Sequence, residues 1–354
     1  MSKSYLDKPL NRKAYSDHIR TKAKSTQTQS RIALDWFEKF IIGKFGKSID
    51  AVLDDSMNQK KEDPQKHGVN LFGILQEFIN YLDDNKKDPA TIRQNFNLVK
   101  LYLNWYGFEV YTEAVRARLN FPRKIEEEKH PLTLDEIRII LNASSPSRRV
   151  LYLFLTSTGL RISEAIQIRK QDLDFSFDRI MVKVKGSYAK TRKPYKTFIT
   201  KETEKLLIPI LENLKDTDLI FGTNEDRDLS KHTEEDYYYR MRARAGFGDL
   251  KYDNGRHKIT LHSFRSWFIT KCNKIDSDFG HALAGHGKYM QVYVRWEDKE
   301  KCVYFIKAEK TLSIFERVDE DQEQRIEHQS KEIEDLKDKV NTLVTLYQLS
   351  KKLS

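Results

Sequence analysis

Hydrophobic residues in the first third of the chain recur at spacings of three and four. The two clearest stripes are Leu34, Phe37, Ile41 and Phe45, and then Leu71, Leu75, Phe78 and Leu82. Such spacing places the side chains on one face of an α-helix, so each stripe predicts a helix with a buried face. Between the stripes, residues 58–67 are polar and contain Pro64, which predicts a loop that separates the helices.

A further helix is predicted after Asp88 and Pro89, a pair that suits an N-cap and a first turn. Its apolar positions are Phe96, Val99, Leu103 and Tyr106. Gly107 then provides a stop signal. These helices predict a small all-α domain over residues 32–121. Residues 1–31 are polar, with eight bases against two acids, and are expected to form a basic, flexible arm.

A charged stretch with a proline at each end, residues 122–131, is predicted to link this domain to a second one at 132–318. Thr133 and Glu136 open the second domain with the pattern of a capping box, which marks the start of a helix. Two later segments alternate between apolar and polar residues, which predicts a β-hairpin. These segments are 179–185 and 195–200. The predicted fold class is mainly α with a small β-sheet, the second domain being α+β.

The end of the chain, residues 319–354, has a heptad pattern between 324 and 350. One row of the seam is Ile326, Ile333, Val340 and Tyr347, and the other is Gln329, Leu336, Leu343 and Ser350. The two rows match a coiled-coil seam, with Gln329 and Ser350 as polar breaks. They predict a C-terminal helix that associates with a neighbouring copy, the alternative being that it packs on its own domain.

Composition narrows the class of protein. Of 354 residues, 39% are hydrophobic and 33% charged, and no apolar run approaches the roughly 20 residues that span a bilayer. With no apolar N-terminal stretch and only two cysteines, a cytoplasmic protein is expected. The net charge is +10, and because residues 316–354 hold ten acids and seven bases, the remainder carries +13. A basic body of this size suits a polyanionic partner, although charge alone is equally compatible with a Lys-rich soluble protein.

Three short motifs in the second domain carry the candidate chemistry. Residues 158–164 read Thr-Gly-Leu-Arg-Ile-Ser-Glu and place Arg161 on a bend after an apolar helix. His262 and Arg265 follow among apolar residues, and their spacing of three puts both side chains on one face of a helix. A Gly-His pair ends at His286. Taken singly, each motif is common in purely structural roles, so the ordered set is what indicates function.

A tyrosine completes the set. Tyr293 lies seven residues after His286, and Tyr289 and Tyr304 are the alternatives. Arginine stays charged and donates to two phosphate oxygens at once, and a tyrosine nucleophile keeps the bond energy in a phosphotyrosyl link. Two arginines, two histidines and a tyrosine therefore suit attack on a phosphodiester without a metal ion. The sequence has no HExxH motif and no acidic triad, so no metal or other cofactor is expected.

The ordered set resembles the tyrosine recombinase, or phage integrase, family, in the form found in archaeal viruses and plasmids. The resemblance is firm over residues 130–315 and rests on position and helical content over 32–121. It implies that Arg161, His262, Arg265 and His286 surround a scissile phosphate that Tyr293 attacks. It also implies that Glu164 orients Arg161.

The family also uses a lysine on a β-hairpin as the general acid. Lys190, followed by Thr191, fits that position best, and Lys185 is the second candidate. A third feature is a stripe of tyrosines and arginines at 237–244, which is equally compatible with contact to a DNA backbone and with packing on the core.

For function, the resemblance implies site-specific DNA recombination, most simply the integration or excision of a viral or plasmid genome. The implied partners are double-stranded DNA, clamped between the two domains, and further copies of the chain, as a tetramer on DNA. No membrane is implied. A type IB topoisomerase and a DNA-binding clamp without catalysis are the alternatives, and a recombination assay on paired duplexes separates them.

Overall fold

A computed structural model describes residues 10–123, 126–286 and 297–315 of the chain. The chain divides into two compact units, Met1–Glu127 and Glu128–Ser354. Each unit has its own hydrophobic core. Within the described residues, no helix is long and apolar enough to cross a membrane. The predicted C-terminal helix at 319–354 lies outside the described residues.

Among its described residues, the first unit consists of helices and connecting segments. The helices are α1 (Arg12–His18), α2 (Lys24–Phe45), α3 (Ile49–Glu62), α4 (Pro64–Asp84), α5 (Pro89–Tyr106) and α6 (Thr112–Arg118). The predicted stripes supply much of the core, where Leu75, Phe78 and Leu82 are fully enclosed. Phe45 departs from its stripe, because it lies in the last turn of α2 and is exposed.

The segment expected to be a flexible arm is partly helical, so that expectation is wrong for the residues described between 10 and 31. Asn11 caps α1 by accepting a hydrogen bond from the backbone of Ala14 at 2.9 Å. Tyr15 is buried, and its ring lies 5.0 Å from that of Tyr102, centroid to centroid. An aromatic anchor of this kind offsets the polar composition that suggested disorder.

The loop predicted at 58–67 is also wrong, because α3 runs into it and α4 begins inside it. Asp63 accepts a hydrogen bond from the backbone N–H of Lys66 at 2.9 Å, which makes Asp63 the N-cap of α4. Pro64 then occupies the first helical position, where its missing N–H is no loss. The proline therefore starts a helix where a break was predicted.

The second unit combines helices with one small sheet. Its helices are α7 (Leu134–Ala143), α8 (Pro146–Thr158), α9 (Ile162–Ala165), α10 (Lys201–Leu211), α11 (Arg227–Arg244), α12 (Leu261–Cys272), α13 (Phe279–Leu283) and α14 (Asp298–Leu312). The strands are β1 (Leu173–Asp174), β2 (Met181–Val184) and β3 (Tyr195–Phe198), and the sheet order is β1-β2-β3. Both pairings are antiparallel, with Met181 opposite Phe198, so the predicted hairpin is confirmed. The capping box of Thr133 and Glu136 is confirmed as well.

Helix α8 lies at the centre of this unit. Its last nine residues are all buried, and α7, α10, α12 and α14 pack around it. A helix enclosed on every side belongs to the interior of a domain, so its C-terminal end is rigidly placed. The first of the three motifs begins at that end.

Candidate active site

The first motif leaves α8 through a tight turn. Gly159 has φ of 65°, in the left-handed region that favours glycine. A Cβ atom there would lie 2.2 Å from the ring of Phe268 on α12, so no larger residue fits. The turn carries Arg161 to the start of α9, where its side chain is 21% exposed.

Glu164 is fully buried and contacts three neighbouring residues. Its Oε2 accepts the backbone N–H of Arg161 at 2.9 Å, and its Oε1 accepts Nη1 of the same arginine at 2.9 Å. The hydroxyl of Tyr195 on β3 donates to Oε2 at 2.7 Å. Nη1 of Arg265 lies 3.9 Å from the same oxygen. These contacts support the expected orienting role of Glu164, since a buried carboxylate that is paired on all sides fixes its partners.

Arg265 lies on α12 and is only 1% exposed. Its Nη1 donates to the carbonyl of Gly159 at 2.8 Å, and its Nη2 donates to the carbonyl of Ala284 at 2.5 Å. Within the described residues, its Nε has no hydrogen-bond partner. Burial and the nearby charge of Arg161 lower the pKa of Arg265. The guanidinium thus joins the ends of α8 and α13.

The two histidines stand beside these arginines. His262 lies one turn before Arg265 on α12, and partial desolvation together with the charges of Arg265 and Arg161 lowers its pKa. Partial desolvation and the same two arginines lower the pKa of His286 to about 4. Both rings are therefore favoured in the neutral form, which is expected beside two cations. Binding a phosphate would supply the missing negative charge.

An open cavity of about 540 Å³ adjoins the first two motifs. It is lined by Leu160, Arg161, Ile162, Ser163, Lys190, Lys231, Glu235, Tyr238, Tyr239, Arg242, Thr260, Leu261 and His262. Of the two candidate lysines, Lys190 lines this cavity. Lys185 instead pairs with the buried carboxylate of Asp172, whose Oδ1 lies 2.7 Å from its Nζ. Position therefore favours Lys190 as the lysine that meets a substrate in this cavity.

Of the three candidate tyrosines, only Tyr304 lies among the described residues. Tyr293 and Tyr289 lie outside the described residues. Tyr304 lies on α14, does not line the cavity, and packs its ring 5.8 Å from that of Phe279. Tyr293 therefore remains the predicted nucleophile.

One group near the site, the hydroxyl of Tyr195, was not predicted from the sequence, because the pattern placed Tyr195 only in a strand. The stripe at 237–244 divides by face: Tyr238 and Arg242 are buried, whereas Tyr239 is 61% exposed at the cavity. Arg242 donates to the carbonyl of Ile259 at 3.1 Å, which positions the chain just before α12.

Comparison with known proteins identifies the family. Residues 130–299 match the phage integrase family. The chain is 27% identical over 265 residues to a probable integrase/recombinase of Aquifex aeolicus, covering 62% of this chain and 82% of that protein. It is 26% identical over 268 residues to the tyrosine recombinase XerA of Thermococcus onnurineus, covering 63% and 90%. Residues 130–299 therefore form a domain of the phage integrase family. The chain is a tyrosine-type site-specific DNA recombinase.

Among solved structures, the chain resembles a lambda integrase tetramer bound to a Holliday junction. The TM-score is 0.47 at 18% identity, and the match covers 82% of this chain and 86% of that one. A XerA recombinase structure matches with a TM-score of 0.37 at 18% identity over 80% and 98% of the two chains.

Proposed function

We propose that this recombinase cleaves and rejoins DNA through a covalent link between Tyr293 and a 3′ phosphate, and that it integrates or excises a mobile genetic element. The observation that carries the proposal is the cluster around Glu164. There, Arg161 and Arg265 face the buried carboxylate of Glu164, and partial desolvation together with the charges of both arginines lowers the pKa of His262 and of His286. Such a site attracts an anion with the charge and geometry of a phosphodiester.

The proposed reaction is a transesterification. The hydroxyl of Tyr293 gives its proton to the neutral ring of His262 while its Oη attacks phosphorus, a P–O bond to tyrosine forms, and the P–O bond to the 5′ oxygen breaks. Arg161 and the histidines stabilise the charge that develops on the non-bridging oxygens. Lys190 gives a proton to the departing 5′ oxygen. Rejoining is the same exchange in reverse, with another 5′ hydroxyl as the nucleophile, so no external energy source is required.

The first test is covalent trapping. Purified protein is incubated in EDTA with a duplex that carries a candidate site and a nick, so that the cleaved end is lost and the adduct accumulates. We expect an adduct without divalent metal. In Arg161→Ala the cleavage rate should fall by about 10²–10³-fold, since one fixed donor to the transition-state oxygens is lost. The matched control is Arg227→Ala, because Arg227 is exposed and pairs with the adjacent Asp228 at 3.2 Å.

Failure of cleavage in EDTA would overturn the metal-free mechanism. Cleavage with relaxation of one duplex but no exchange between paired duplexes would instead indicate a type IB topoisomerase. DNA binding without any adduct would indicate a clamp without catalysis.

We further propose that four protomers act together on two duplexes. In this arrangement residues 32–121 are the core-binding domain that completes a clamp on DNA. The heptad seam at 324–350 is the candidate for contact between protomers, because its apolar rows need a partner surface.

Breaking the seam tests its role in assembly. The double variant Leu336→Glu with Leu343→Glu places two charges in one row, whereas Asp338→Lys changes a position off the seam. We expect the double variant to reduce assembly on DNA and recombination while affinity for a single site is retained, and the off-seam variant to behave as wild type. Sedimentation with and without DNA gives the oligomeric state. Unchanged assembly in the double variant would contradict this role.

A further inference from the structure

The helix before His286 ends in a motif that brings two side chains together. The backbone N–H of His286 donates to the carbonyl of His281 at 2.8 Å, and that of Gly285 donates to Ala282 at 3.2 Å. Gly285 has φ of 68°. These are the two hydrogen bonds and the left-handed residue of a Schellman motif. In that motif the first and last residues usually pack against each other through apolar side chains.

Here both side chains are imidazoles. The Nδ1 atoms of His281 and His286 are 3.2 Å apart, and the ring centroids are 5.4 Å apart with an angle of 38° between the planes. At this distance the two nitrogens share one hydrogen, so one ring donates and the other accepts. The contact occupies Nδ1 of His286 and leaves its Nε2 as the only ring nitrogen available to another group.

Gly285 also holds the motif against the site. A Cβ atom at Gly285 would lie 2.6 Å from the ring of Tyr195, the residue that donates to Glu164. The chain turn therefore rests on the same tyrosine that supports the arginine cluster. The position of the His286 backbone is thus determined by packing.

The charges that face His286 come from several elements. Arg161 follows α8, Arg265 and His262 lie on α12, and His281 lies on α13. Together with partial desolvation they lower the pKa of His286 to about 4, so its ring is neutral near neutral pH. A neutral imidazole has a single N–H, and which nitrogen carries it decides whether the ring can donate to a phosphate oxygen.

We propose that His281 is a positioning residue for His286: it donates from its Nδ1 to Nδ1 of His286 and so fixes the hydrogen of neutral His286 on Nε2. In that form Nε2 donates to a phosphate oxygen. The consequence for catalysis rests on the proposed contact of His286 with the scissile phosphate. The hydrogen bond between the two rings does not depend on it.

Two directions of this hydrogen bond are chemically possible. If His281 donates, Nε2 of His286 carries the only hydrogen of that ring and can donate to a phosphate oxygen, whereas if His286 donates, its Nε2 is left as an acceptor, which an anion does not favour. An apolar residue at position 281 would complete the Schellman motif equally well but would leave both tautomers of His286 open. The pair of His281 and His286 therefore controls the tautomer of His286 at a helix end that is otherwise ordinary.

Two variants at position 281 separate these roles. His281→Leu restores the apolar contact that the motif usually contains, so folding should be preserved while the hydrogen bond is lost. His281→Asn keeps a short donor near the place of Nδ1. The tautomer is read from the ring ¹⁵N shifts of histidine-labelled protein without DNA, through a pH titration. We expect His286 to carry its hydrogen on Nε2 in wild type and in His281→Asn, and to become a mixture of tautomers in His281→Leu.

Cleavage provides a second reading of the same variants. At saturating nicked DNA, we expect the single-turnover rate of His281→Leu to fall roughly tenfold, as is common when the partner that orients a functional histidine is removed. His281→Asn should restore most of that rate, and affinity for DNA should be equal in all three proteins. A loss of affinity in place of rate would assign His281 to DNA binding and overturn the proposal.

The tautomer measurement and the cleavage measurement can each contradict a different part of the proposal. If His286 carries its hydrogen on Nδ1 in wild type, or if its tautomer is unchanged in His281→Leu, the pairing is wrong whatever the enzyme does. If the tautomer behaves as expected but the cleavage rate of His281→Leu equals that of wild type, the ring pair exists and the proposed contact of His286 with phosphate is wrong.

Discussion

Replacing Tyr293 with Phe is expected to abolish the covalent adduct between protein and DNA. The change removes one oxygen and keeps the aromatic ring, so folding and DNA binding should be retained while the nucleophile is lost. Residual adduct should be undetectable, because the covalent link requires the hydroxyl group that this change removes. The measurement is trapping on the nicked duplex, followed by digestion and mapping of the modified peptide.

Tyr304→Phe and Tyr289→Phe are the matched controls, since each makes the same chemical change at a competing tyrosine. Both should form the adduct as wild type does. Tyr304 packs on Phe279 and does not line the cavity, which is the structural reason to expect little effect. An adduct that persists in Tyr293→Phe and disappears in Tyr304→Phe would transfer the role to Tyr304.

The second large effect is expected in stability. Glu164→Gln keeps the size of the side chain but removes a fully buried charge that faces Arg161 and Arg265. Breaking a buried ion pair from one side leaves the other charge uncompensated, and the second unit should lose about 3–5 kcal/mol of unfolding free energy. Calorimetry or urea denaturation of the full chain measures the loss.

Tyr195→Phe is the control for that loss. It removes one hydrogen bond to Glu164 and leaves the charges in place, so it should cost only about 1 kcal/mol. If the unfolding free energies of Glu164→Gln and Tyr195→Phe are the same, the carboxylate contributes no more than a hydrogen-bond acceptor, and its charge does not organise the site.

Local patterns in the sequence predicted much of the fold. The capping box at Thr133 and the hairpin of β2 and β3 depend on contacts between close neighbours, and both were found as predicted. The two failures have different causes. Tyr15 takes its role from a helix that packs against it, which composition within a short window does not contain. Asp63 and Pro64 form a local helix start of the same kind as Asp88 and Pro89, and the polar residues around them outweighed that signal.

In the site, too, features that depend on close neighbours were predicted from local patterns, and contacts between residues far apart in the sequence were not. The spacing of His262 and Arg265 predicted their helix, because helical periodicity is local. The contact of Arg265 with the carbonyl of Gly159 joins residues 106 positions apart, and only the resemblance to a family suggested that they meet. The contact of Tyr195 with Glu164 had no signal of either kind, since a tyrosine in a strand is most often simply packed.

The buried guanidinium of Arg265 changes how mutations at this position can be read. Its two terminal nitrogens donate hydrogen bonds to the carbonyl groups at the ends of two helices. The side chain therefore stabilises the protein before any substrate binds. A lysine has one ammonium group and no planar fork, and it cannot span both carbonyls in the same way. An inactive variant at position 265 therefore reports on the architecture of the catalytic unit as much as on recognition of DNA. The stability of the catalytic unit and the recognition of its substrate thus depend here on a single side chain.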